Sequence, residues 1–88
     1  MKTAFAIFKT LSDETRLLIA LKLFKKGEMS CKQVSESFKD LSQPTISHHF
    51  KALEKAGIIS VRKEGTSHFY SLNKEILKKN GVDLSLVK

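Results

Sequence analysis

Apolar positions recur at helical spacing through most of this chain, then give way to a block of β-branched and aromatic residues. Over residues 3–10, Ala4, Phe5 and Phe8, with Leu11 just beyond, repeat three to four apart and predict a short amphipathic helix. Leu17, Leu18, Leu21 and Phe24 predict a second helix. Ser12 is its expected N-cap, and Asp13 and Glu14 fall in its first turn, where the helix dipole favours anions. Lys25, Lys26 and Gly27 close it. In SCKQVSESF, Ser30 and Gln33 have capping-box spacing and Val34 and Phe38 form an apolar stripe, which predicts a short third helix. KDLSQ is a turn. Ser42 is the expected cap of a fourth helix, with Pro44 in its first turn, where a missing N–H costs nothing, and Gly57 at its end. In IISVRKEGTSHFYSL, residues Ile58–Lys63 and Ser67–Leu72 flank a Glu64-Gly65 turn signal and predict a β-hairpin. Asn73 caps a last short helix, Lys74–Lys79. The tail GVDLSLVK is apolar at Val82, Leu84, Leu86 and Val87, with no period that decides between helix and strand.

The predicted order is α-α-α-α-β-β-α: mainly α with a β-hairpin wing, the plan of a winged helix-turn-helix. No repeat, low-complexity run or linker divides the 88 residues, so residues 1–88 read as a single domain. A core this small is thin, and a partner subunit often supplies part of the burial. Residues 1–11 and 74–88 are the expected dimerisation elements. Their apolar residues Ala4, Phe5, Phe8, Leu11, Ile76 and Leu77, with Val82, Leu84 and Leu86, exceed the needs of one small core.

The fourth helix has two faces. Stepping about 100° per residue from Ile46 brings Phe50, Leu53 and Gly57 near it as the core side. Pro44, Ser47, His48, Lys51 and Lys55 fall on the other side, with Thr45 on the flank at the N-terminal end. Small hydroxyls, an imidazole and ammonium groups suit a DNA major groove, where short polar side chains near a helix N-terminus read base edges. Gln43 has the chemistry to pair with adenine, and the Thr45 methyl to meet a thymine methyl. Lys51 and Lys55 are better placed for phosphates. Arg62, Lys63 and Gly65 lie on the wing, which in this plan reaches the adjacent backbone or minor groove.

Charge supports that reading. Sixteen Lys and Arg against nine Asp and Glu give a net charge of +7, which favours a polyanionic partner such as double-stranded DNA. One cysteine, Cys31, rules out an internal disulfide and fits a reducing compartment. The N-terminus lacks a continuous apolar stretch and a cleavage site of the kind that marks a signal peptide. No apolar run approaches the ~18 residues of a membrane span. A cytoplasmic location is expected.

The stretch LSDETRLLIALKLFKKGEMSCKQVSESFKDLSQPTISHHFKALEKAGIISVRKEGTSHFYSLN, Leu11 to Asn73, resembles the ArsR family of bacterial and archaeal winged-helix repressors. SDETRLLIA resembles the family's opening, LSQPTISHHFKALEKAGII its recognition helix and RKEGTSHFYSLN its wing. The chain is most similar to the metal-independent autorepressor type. The resemblance implies a homodimer that binds a palindromic operator, usually as a repressor.

The family's metal ligands are missing from the positions the resemblance assigns them. Its thiolate site uses Cys-x-Cys on the third helix, where this chain has Ser30 and Lys32 with Cys31 between them. Its other site uses Asp and His on the last helix, and NKEILKKNGVDLSLVK has no His. No metal site and no cofactor are expected. His48 and His49 point about 100° apart and cannot chelate one ion from one helix face. His49 lies at the core edge and is expected to be packed and hydrogen-bonded, and His68 sits on the wing. Redox sensing in the family uses a cysteine pair, and Cys31 is alone. No nucleophile elbow, P-loop or HExxH context is present, so an enzyme is not expected. Three alternatives stand beside the repressor: a metal- or redox-responsive member with a non-standard site, a winged helix used as a protein-interaction module, and an autorepressor switched by a protein partner that docks on the apolar tail.

Overall fold

A computed structural model describes residues 2–87. The elements are α1 (Lys2–Leu11), α2 (Glu14–Lys26), β1 (Glu28–Ser30), α3 (Cys31–Ser37), α4 (Gln43–Lys55), β2 (Ile59–Glu64), β3 (Ser67–Leu72), α5 (Lys74–Lys79) and a 3-10 turn (Leu84–Leu86). The predicted helices and hairpin are present. The strand β1 was not predicted. It pairs antiparallel with β3, Met29 opposite Tyr70, and makes a three-stranded sheet in the order β1-β3-β2.

Local chemistry sets the helix boundaries. The cap of α2 is Asp13 rather than Ser12: its carboxylate accepts from the Arg16 N–H at 3.0 Å. Ser12 instead turns back, its hydroxyl donating to the Lys9 carbonyl at 2.6 Å and closing α1. Ser30 and Gln33 form the expected capping box at the start of α3, and the Ser42 hydroxyl accepts from the Thr45 N–H at the start of α4. At the end of α4, Gly57 takes φ +79°. Its N–H donates to Glu54 and that of Ile58 to Leu53, the paired bonds of a Schellman stop that aim the chain into β2. The hairpin turn is Gly65-Thr66, one residue later than expected, with Glu64 opposite Ser67. Gly65 alone of the two takes positive φ, the type II′ pattern that suits strand twist.

The buried side chains form a single cluster: Ile7 from α1, Ile19 and Leu23 from α2, Val34 from α3, Ile46, Phe50 and Leu53 from α4, and Ile59 and Leu72 from the sheet. Leu77 and Leu84 belong to it too, 3% and 4% exposed. Each packs against its own chain, so of the residues expected at a dimer interface these two are the least exposed. Leu11 and Ile76 are half-buried on the same core, whereas Phe5 and Phe8 stand 67% and 53% exposed on α1.

The Asp13 cap gives a stability prediction. Its hydrogen bond from the Arg16 N–H holds the carboxyl below its usual range. The folded-state value is the lower one, so its contribution is present at neutral pH and lost as pH falls below the ordinary carboxylate range. Asp13→Ala destabilises the fold by about 1 kcal/mol at pH 7, read from urea unfolding, and the difference from wild type shrinks in acid.

Candidate nucleic-acid interface

The pair α3 and α4, joined by a five-residue turn over 38–42, presents α4 outward. Ile46, Phe50 and Leu53 anchor one side of α4 in the core, as its periodicity predicted. Gln43, Pro44, Thr45, Ser47, His48, Lys51 and Lys55 are all exposed on the rest of its surface. One helix thus offers solvent an amide, two hydroxyls, an imidazole and two ammonium groups.

Two of these side chains are held in place. The Gln43 Nε2 donates to the Ser35 hydroxyl at 2.7 Å, and that hydroxyl donates to the Cys31 carbonyl at 3.1 Å. This relay ties the start of α4 to α3 and restricts the Gln43 amide. The Thr45 hydroxyl lies 2.8 Å from that of Ser42. Ser35 was not singled out in the sequence; its partner lies eight residues away across the turn, and no local pattern signals the pair. His49 turns inward: its Nδ1 accepts from the Arg16 Nε at 3.1 Å, tying α4 to α2 as the core-edge reading expected.

The wing separates its two basic residues. Side chains alternate across a strand, so the neighbours Arg62 and Lys63 face opposite ways. In register with Lys63 is His68, and both share the sheet face of Tyr70, whose ring packs 4.3 Å from that of Phe50 on α4. Lys63 and His68 therefore lie on the side of the wing that faces α4. Arg62 lies on the other side. Its guanidinium sits 4.6 Å from the centre of the Phe69 ring and crosses β3 to donate to Glu28 at 3.0 and 3.2 Å; it also donates to Glu64. These bonds hold the Glu28 carboxyl below its usual range and push the Arg62 guanidinium further up. An arginine neutralised by two carboxylates is a wing brace before it is anything else. Glu64 as a partner was readable, two residues along the same strand face, whereas Glu28 depends on the unpredicted β1.

Among the described residues, no three His, Cys, Asp or Glu side chains are grouped so as to hold a metal ion. Cys31 is half-buried at the start of α3. No helix among the described residues is long and apolar enough to cross a membrane.

The profile of the bacterial regulatory protein, arsR family, matches residues 13–61, from the cap of α2 into β2. The chain belongs to the ArsR family. Members of this family are DNA-binding transcriptional regulators and not enzymes. An uncharacterized HTH-type transcriptional regulator of Methanocaldococcus jannaschii is 49% identical over 80 residues, covering 85% of this chain and 88% of its own. The transcriptional repressor SdpR of Bacillus subtilis is 42% identical over 72 residues, 82% of this chain and 78% of its own. A solution structure of the homodimeric winged helix-turn-helix DNA-binding domain of Mb0332 from Mycobacterium bovis, a possible ArsR-family regulator, superposes with a TM-score of 0.74. The likeness covers 90% of this chain and 72% of that chain at 22% identity, and it shows the fold alone.

Proposed function

We propose that the chain is a homodimeric, sequence-specific transcriptional repressor that lays α4 in the DNA major groove at each half of a palindromic operator. The observation that carries this is the outward side of α4, where Gln43, Thr45, Ser47 and His48 stand exposed on a helix whose opposite side is locked in the core. Gln43, Thr45, Ser47 and His48 read base edges, and Pro44 sets the start of the helix. Lys51 and Lys55 meet phosphates. On the wing, Lys63 and the Gly65 turn approach the backbone, while Arg62 braces the wing. Lys63→Ala therefore lowers the log–log salt slope of DNA binding by about two, one contact per protomer, and Arg62→Ala leaves that slope unchanged. Binding measured over a series of salt concentrations checks both.

The dimer rests on the exposed Phe5 and Phe8 of α1, with Ala4 and Leu11 of the same helix and Ile76 and Leu77 of α5 as its further apolar residues. Leu86, 77% exposed, is a further apolar residue open to solvent on the tail. The homodimeric Mycobacterium bovis domain shares the fold. Repression needs no family metal site here, since Ser30 is occupied as a helix cap and Lys32 is a cation. A protein partner that docks on the apolar tail is the switch this leaves. Such a repressor works where the DNA is, in the cytoplasm.

Selection of sites from random duplex DNA tests the reading. The expected winner is a palindrome with half-sites about 34 Å apart, bound by two protomers. A failure to enrich any sequence would overturn it in favour of a protein-interaction module.

A further inference from the structure

A cleft of about 380 Å³ opens between the end of α2, α5 and the tail, on elements that carry none of the residues assigned to DNA. Its volume falls within the roughly 300–1,000 Å³ of small-molecule sites. Phe24, Leu72, Leu77, Val82 and Leu84 make its walls apolar. Two cations, Lys74 and Lys78, stand on its rim, one helical turn apart on α5. The Lys74 ammonium is placed 5.5 Å from the centre of the Phe24 ring, itself a wall of the cleft.

The two rim cations lack a counter-charge of their own. Like charges at this spacing repel. The one acid of α5, Glu75, pairs with Lys79, and among the described residues neither Lys74 nor Lys78 enters an ion pair. Asp83 also lines the cleft, but its carboxylate accepts from the N–H and hydroxyl of Ser85, bonds that hold it ionised as the cap of the 3-10 turn. The rim is thus net basic over an apolar floor.

We infer that this cleft binds a small amphiphilic carboxylate, its apolar chain against Phe24, Leu77 and Leu84 and its carboxylate accepting from Lys74 and Lys78. The carboxylate relieves the repulsion between the two ammonium groups, and the chain displaces water from an apolar wall. Binding by the free protein does not depend on the DNA reading, and either claim can fail without the other.

The test is NMR titration of the full chain with octanoate, 1-octanol and octylammonium, each below its aggregation limit. Octanoate produces saturable shifts in Phe24, Leu72, Val82 and Leu84, with ligand contacts to the Phe24 ring. Octanol binds about tenfold more weakly, octylammonium more weakly still, and the K74E/K78E variant loses about tenfold for octanoate while its Tm shows that it folds. No saturable shift, equal binding of all three probes, shifts centred elsewhere, or contacts showing that a second copy already fills the cleft would each overturn the inference.

Discussion

Lys51→Glu weakens binding of the dimer to duplex DNA on the order of a hundredfold and flattens its log–log salt slope by about two. Lys51 is exposed on α4, one turn after Ser47, where a phosphate contact adds affinity without sequence information. Each protomer loses one cation and gains an anion, so the change counts twice per operator. The loss is uniform across operator variants, which separates Lys51 from Ser47 or His48, whose replacement alters the preferred base. Because the side chain is exposed and lies outside the core, the Tm moves by less than about 4 °C. Equilibrium binding on matched and mismatched duplexes, with a melting curve of the same sample, checks the whole pattern.

Leu53→Ala has the opposite signature. Leu53 is 0% exposed on the inward side of the same helix. Truncating it removes buried methyl groups and leaves a cavity, which costs about 2–5 kcal/mol. Proteins of this size have a total stability of only about 5–15 kcal/mol, so the Tm falls by at least about 10 °C. DNA binding is then lost as the protein unfolds and recovers on cooling, unlike the loss in Lys51→Glu. Calorimetry and binding at two temperatures distinguish the two.

The contrast between these residues was legible in the sequence because both faces of α4 are fixed by local information: a helical period, the Ser42 cap, Pro44 and Gly57. The hairpin was legible for the same reason, through β-branched strands around a glycine turn. What escaped depended on distance or on competition. Ser12 and Asp13 both suit an N-cap, and the choice follows from how α1 ends, with the Ser12 hydroxyl taken by Lys9. The strand β1 has three residues and no period, and exists by pairing with β3, some forty residues on. Without it, the bond from Arg62 to Glu28 had no basis, and Arg62 read as a free cation. Leu77 and Leu84 read as surplus apolar surface because the pattern shows that a residue is apolar and not which chain it packs against.

The salt dependence of binding to a selected duplex tests the central claim most directly. A dimer holding several phosphates through Lys51, Lys55 and Lys63 on each protomer predicts a log–log slope of roughly −5 or steeper, with two protomers per duplex. A slope near zero, or no binding to any duplex at low salt, would contradict the assignment of the outward side of α4 to DNA.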